Sequence, residues 1–191
     1  MAYGLEDFCD DCRDILAPRD EKPNLDAVRE KLEKLLSNED FVDEVSGPAA
    51  PVGITTLYQD PELDFMVLAH NYEKGRTSPP HDHGKSWAVY GQALEYTDMT
   101  EYRRRDDGSE DGRADIEKTR TYRLEPGQAG TFAAHEIHSI HFPDGARFVR
   151  VTGTDLSQLP TLRYDMANGT VARVEPNRTG EAAGSANATA S

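Results

Sequence analysis

The chain has 191 residues, of which 35 are acidic and 21 basic, for a formal net charge of −14. A field of this sign repels phosphate backbones and anionic lipids, which argues against nucleic acid or a membrane surface as a partner. No apolar run reaches the roughly 20 residues that span a bilayer, and the first residues lack the basic-then-apolar pattern of a leader peptide. With only two cysteines, the expected compartment is the cytoplasm, where both thiols stay reduced.

Residues 1–47 are predicted to form helices. Apolar residues recur at steps of three and four over about 5–16 and again over 25–36, which is typical of helices that bury one face. Asn24 is a suitable N-cap for the second helix, and a shorter third helix is predicted over 38–45. Cys9 and Cys12 have the Cys-X-X-Cys spacing of zinc and redox sites, but a zinc site needs a second pair that the sequence lacks. Both are therefore predicted to be core residues.

From residue 48 to 175 the pattern changes to short strands separated by turn residues. Such a series of β-branched and aromatic runs predicts a mainly β barrel or sandwich. Residues 106–113 are polar and contain glycine, so they are predicted to form an exposed hairpin loop. Residues 176–191 lack large apolar groups and are predicted to be a disordered tail. The predicted strands are 54–58, 65–71, 87–96, 99–104, 118–124, 130–134, 139–142 and 148–151.

Two histidines, His81 and His83, lie in the segment 78–87, Ser-Pro-Pro-His-Asp-His-Gly-Lys-Ser-Trp. Residues two apart on an extended chain point to the same side, so both imidazoles can reach one ion. Imidazole suits iron, zinc, copper and nickel, whereas magnesium and calcium prefer oxygen ligands. A His-X-His alone is common, but the two prolines before it, the glycine after it and the β-rich context indicate a metal-binding motif.

A third ligand is expected from the histidine cluster at residues 135–141. His138 is three residues from both His135 and His141, so on an extended chain it faces one side and they face the other. This spacing alone leaves open whether His138 or the other two point inward. His70, at the end of an apolar strand, is interpreted as an ordinary strand-end or partly buried imidazole.

The two motifs resemble the paired metal motifs of the cupin superfamily, and more narrowly those of its cysteine dioxygenase-like branch of thiol dioxygenases. The matching segments are 80–84, Pro-His-Asp-His-Gly, and 136–140, Glu-Ile-His-Ser-Ile, within a resemblance that spans roughly 24–175. Many cupins add a glutamate ligand just after the His-X-His, but Trp87 and Ala88 stand there in this chain. The resemblance therefore implies a three-histidine iron site with His138 as the third ligand. It also implies a double-stranded β-helix, the jelly-roll barrel of cupins, after a helical N-terminal segment.

The departures from this branch concern the substrate more than the metal. Cysteine dioxygenases hold the substrate carboxylate with an arginine on an early strand, and residues 56–60 of this chain contain none. On a late strand they place a histidine and a tyrosine, where this chain has Arg150 and Thr152. Arg150 is either an anion anchor inside the barrel or an ordinary surface arginine. Trp87 is either a wall of the pocket or a structural residue.

The resemblance implies a mononuclear non-haem Fe(II) dioxygenase whose partners are a small-molecule substrate, possibly a thiol, and O2. Because the carboxylate clamp is missing, L-cysteine is expected to be a poor substrate, unless Arg150 points inward and takes over the anionic end. One alternative is a metal-dependent cupin isomerase, lyase or hydrolase, in which zinc or manganese acts as a Lewis acid without O2. Another is a non-catalytic metal-binding cupin.

Overall fold

The computed structural model describes residues 2–18 and 22–176, so the tail predicted over 176–191 lies outside it except for Pro176. Three helices come first and eleven strands follow in this part of the chain. The helices are α1 (Leu5–Leu16), α2 (Leu25–Leu36) and α3 (Glu39–Ser46). The strands are β1 (Gly53–Gln59), β2 (Met66–Asn71), β3 (Arg76–Thr77), β4 (Ala88–Leu94), β5 (Thr97–Arg104), β6 (Ile116–Leu124), β7 (Ala129–Phe132), β8 (Ile137–Phe142), β9 (Arg147–Thr152), β10 (Thr161–Asp165) and β11 (Thr170–Val174).

The helices form where their apolar faces and caps predict them. The side chain of Asn24 accepts a hydrogen bond of 3.1 Å from the Ala27 N–H and so caps α2. The buried face of α2 lies on β4 at Gly91, where a Cβ would come within 2.8 Å of Leu32 and 2.6 Å of Leu36. A glycine at this position therefore lets the helix approach the sheet closely.

Two antiparallel sheets form the barrel. The larger has the strand order β1-β2-β9-β4-β7 and the smaller has the order β3-β8-β5-β6. One face of the larger sheet packs against α1–α3, and its other face meets the smaller sheet across a second apolar cluster. The smaller sheet is covered on its outer face by the β10–β11 hairpin, which contributes Tyr164 to a third cluster.

Side chains of β9 alternate between these two faces of the larger sheet. Val149 and Val151 belong to the cluster under the helices, whereas Phe148 belongs to the cluster inside the barrel. Arg150 therefore points into the barrel. In the strand register it stands between Leu68 on β2 and Tyr90 on β4.

The predicted mainly β fold, a jelly-roll barrel preceded by a helical segment, is confirmed by this arrangement. Each predicted strand coincides with an observed one to within a few residues, and most of the predicted loop 106–113 is exposed. The two-residue strand β3 and the β10–β11 hairpin were not predicted as strands, because neither segment shows a long β-branched run. Across the described residues, no helix has both the length and the apolar character needed to cross a bilayer.

Cys9 and Cys12 lie in the cluster between the helices and the larger sheet, as predicted, and burial raises the pKa of both thiols. We expect the double variant Cys9→Ser, Cys12→Ser to lose about 1–3 kcal/mol of unfolding free energy, because buried hydroxyl groups without partners are costly. Chemical denaturation measures the loss, and metal content should stay at the wild-type level. Release of zinc from the wild-type protein by a thiol-modifying reagent would contradict this assignment.

Candidate metal centre

The His-X-His segment is attached by backbone hydrogen bonds to the strand that carries the third histidine. The His81 N–H donates to the His138 carbonyl, and the His138 N–H donates to the His81 carbonyl, both at 2.9 Å. Asp82 turns the opposite way, and its Oδ1 accepts from the N–H groups of Gly84 and Leu162. Gly84 has φ +59, and a Cβ there would lie 2.4 Å from the Pro160 carbonyl oxygen. A glycine is therefore required for this turn.

The structure brings His81, His83 and His138 together. One ring nitrogen of each lies within 4.8 Å of the corresponding nitrogens of the other two. The ring centroids are 4.6 Å apart for His81–His138, 4.7 Å for His83–His138 and 5.5 Å for His81–His83. A single ion could therefore contact all three side chains.

The protonation and hydrogen bonding of these imidazoles fit a metal. Nδ1 of His81 lies 2.9 Å from the Pro79 carbonyl oxygen, which can only accept, so Nδ1 carries the proton and Nε2 is left as the ligand atom. Both ring nitrogens of His138 are buried without a hydrogen-bond partner. Burial lowers the pKa of all three histidines. Neutral imidazole is the form that binds metal ions.

The other two histidines of the second cluster lie outside the barrel. His135 and His141 are exposed, whereas His138 has no exposed surface. His141 Nδ1 lies 2.8 Å from the hydroxyl of Thr77. His135 occupies the turn before β8 with φ +65. The fold therefore excludes the alternative in which His135 and His141 face the barrel interior.

Arg150 lies inside the barrel beside the three histidines. Its positive charge lowers the pKa of His81, His83 and His138, and this effect is smaller than that of burial. Its guanidinium carbon lies 6.0 Å from the centre of the Tyr90 ring, and its Nε is buried without a partner. Within residues 2–18 and 22–176, no carboxylate forms an ion pair with it. Of the two sequence-based interpretations, the position inside the barrel is the one observed.

Tyr90 is a component of this site that no sequence motif marks. Its hydroxyl lies 3.2 Å from Nε2 of His83. It alternates with Val89, which faces the helices, so Tyr90 faces the barrel interior. Phe132 also stacks on His138, with ring centroids 3.9 Å apart, and so fixes the plane of that imidazole.

Trp87 is not brought to the three histidines. It packs against the cluster under the helices, on the face of the larger sheet opposite Tyr90. Its indole also lies flat on Gly153, where a Cβ would come 2.6 Å from Nε1. These contacts favour the structural interpretation of Trp87 over a role in the pocket wall.

His70 is more deeply buried than expected. Only 2% of its surface is exposed, its ring stacks on Phe148 at 4.8 Å, and its Nδ1 lies 3.2 Å from the Tyr72 hydroxyl. Its Nε2 has no hydrogen-bond partner. Burial and the charge of Arg150 lower its pKa well below the usual value, so the ring is neutral.

No family model and no curated protein matches the chain. Solved structures with a similar fold include the Cnp3 cupin domain of Schizosaccharomyces pombe, which has 12% sequence identity and a TM-score of 0.42. The match covers 56% of this chain and 66% of the Cnp3 domain, slightly less than two thirds of that domain's length. KdgF from a Halomonas species has 15% identity and a TM-score of 0.38, covering 52% and 76%. A cupin superfamily protein of Desulfitobacterium hafniense has 14% identity and a TM-score of 0.40, covering 58% and 87%. At these values the similarity assigns no metal, substrate or activity.

Proposed function

We propose that this chain binds one divalent transition metal through His81, His83 and His138, and that it is a mononuclear Fe(II) dioxygenase for a small molecule. The observation that supports this most strongly is the meeting of three neutral imidazoles inside the barrel, with both nitrogens of His138 unpartnered. Three imidazole ligands suit iron as well as zinc, copper and nickel, and they leave coordination positions free. The resemblance to thiol dioxygenases favours iron among these metals. Bound iron would supply those open positions and the electron transfer that a reaction with O2 requires.

The residues around the histidines have separate roles in this proposal. Tyr90 places a hydroxyl next to His83, where it can donate a hydrogen bond to a bound ligand. In the thiol dioxygenases that the sequence resembles, the corresponding tyrosine comes from the late strand, whereas here β4 supplies it. Phe132 and Phe148 keep the surroundings apolar, and Arg150 places a positive charge beside the site.

A single set of measurements tests the function. Protein purified without oxygen is analysed for metals and loaded with Fe(II), and O2 uptake is then recorded with thiols, diketones and aromatic diols. We expect about one metal ion per chain and O2 uptake with at least one compound. L-cysteine should be a poor substrate, because residues 56–60 offer no arginine where thiol dioxygenases bind the amino-acid carboxylate. Turnover of 3-mercaptopropionate in preference to a neutral thiol would indicate that Arg150 binds the anionic end instead.

The possible results separate this function from the alternatives. Conversion of a substrate without O2 uptake would favour Lewis-acid chemistry of an isomerase, lyase or hydrolase. Failure to bind any transition metal would contradict the metal site itself. Efficient turnover of L-cysteine would leave the dioxygenase standing and refute the substrate argument.

A further inference from the structure

The interior of the barrel holds a second group of polar side chains that the metal site does not use. His70 faces the interior from β2, and Tyr72 follows just after that strand, with its hydroxyl 3.2 Å from His70 Nδ1. In the register, His70 is opposite Phe148, one inward step along β9 from Arg150. Side chains in such diagonal positions are about 7–8 Å apart, so the guanidinium can reach the imidazole region.

Two buried nitrogens in this group lack hydrogen-bond partners. His70 is 98% buried and its Nε2 is unpaired, while Arg150 has a buried, unpaired Nε. The tautomer of His70 depends on Tyr72: if the hydroxyl donates to Nδ1, Nε2 carries the proton and points it at the interior. A cation and a polar hydrogen without acceptors are costly inside a protein unless something binds them.

The charge balance of the interior favours an anion. Asp82, the buried carboxylate between His81 and His83 in sequence, is directed at backbone N–H groups rather than at Arg150. Three neutral imidazoles would leave the charge of a divalent ion uncompensated, and Arg150 adds another positive charge. The chain as a whole has a net charge of −14, so this positive interior is a local feature. Arg150 is also partly exposed, so a ligand can reach it from solvent.

We propose that Arg150, assisted by His70 and Tyr72, forms an anion subsite beside the three histidines, and that the substrate is a small carboxylate. The anion subsite does not depend on a bound metal. Only the identification of its ligand as the substrate rests on the proposed function. A guanidinium binds a carboxylate through two parallel hydrogen bonds. The donor set, one cation with one imidazole N–H that the Tyr72 hydroxyl orients, suits a singly charged carboxylate better than a phosphate dianion. The carboxylate would lie at Arg150, and the opposite end of the molecule would face His81, His83 and His138.

The test uses metal-free full-length protein, so that it does not depend on the reaction. Propionate, propanol and inorganic phosphate are titrated at fixed ionic strength, and binding is followed by NMR. We expect propionate to bind and propanol not to bind. Arg150→Gln should weaken propionate binding by about tenfold to a hundredfold, as expected for the loss of one charge-assisted contact. His70→Gln and Tyr72→Phe should each weaken it by a smaller factor.

Arg163→Gln is the matched control, because Arg163 is an exposed arginine that also acts on His81 from outside the barrel. It should leave propionate affinity unchanged. Equal binding of propionate by the wild type and Arg150→Gln, with both proteins folded, would overturn the subsite, and so would tighter binding of phosphate than of propionate. Metal content is measured separately in the same proteins. Propionate binding in a wild type that takes up no metal would refute the metal site while leaving the anion subsite intact.

Discussion

Replacement of His138 by alanine is expected to weaken metal binding by at least about a hundredfold, since even the loss of an outer hydrogen-bond partner of a ligand costs about 10–100-fold. His138 lies between the other two histidines, with ring centroids 4.6 and 4.7 Å from theirs. Without it, the remaining pair His81 and His83 cannot surround an ion. Metal content per folded chain, measured after anaerobic loading and desalting, should fall from about one to a small fraction.

The chain offers matched controls for this experiment. His135→Ala and His141→Ala remove exposed imidazoles from the same segment and should keep full metal content. His138→Leu fills much of the space against Phe132 without offering a ligand, so it separates loss of the ligand from loss of packing. Circular dichroism and thermal unfolding verify that each variant is folded. Full metal content in His138→Ala together with loss in His135→Ala would show that the third ligand had been wrongly chosen.

Much of this site could be predicted because its signals are local in sequence. The two-residue spacing of His81 and His83, together with the β-rich context, predicted two of the three metal ligands. The three-residue spacing around His138 left two alternatives for the inward-facing residues, either His138 or the pair His135 and His141. The resemblance to thiol dioxygenases then favoured His138, and the fold places that residue inside and its neighbours outside.

The rest of the site depends on which strands become neighbours, and that information is not local. Tyr90 and His70 both stand in strands whose residues are mostly buried on two sides, so hydrophobic alternation does not reveal the inner face. For Arg150 the alternation with Val149 and Val151 was visible. The sequence could not show, however, that both valines face the helices and that the guanidinium therefore faces the histidines. Trp87 illustrates the reverse case, since proximity to the metal motif in sequence suggested a contact that the alternation of β4 prevents.

Replacement of Asp60 by alanine is expected to cost about 1–3 kcal/mol of unfolding free energy, the range for leaving buried donors without their acceptor. Asp60 joins α1 to the end of β1. One carboxylate oxygen accepts from Arg13 Nε at 2.6 Å and from the Tyr58 hydroxyl at 2.9 Å. The other accepts from the N–H groups of Glu62 and Leu63. The side chain is 1% exposed, so these donors would lose a partner that water cannot readily replace.

The same carboxylate should make stability depend on pH. Burial alone would raise the pKa of Asp60, but the hydrogen bonds from Arg13, from the backbone and from Tyr58 outweigh it and hold the pKa well below the usual value. Because the folded-state pKa is the lower one, this stabilisation is complete above the unfolded-state pKa of about 4 and is lost as the pH falls below it. Denaturation at several pH values should show this loss in the wild type and a weaker one in Asp60→Asn.

Asp144→Asn is the control, because the ion pair of Asp144 with Lys74 is exposed and its removal should change the unfolding free energy by less than about 1 kcal/mol. Equal losses of unfolding free energy in Asp60→Asn and Asp144→Asn at neutral pH would show that the contacts of Asp60 between α1 and β1 contribute little to stability.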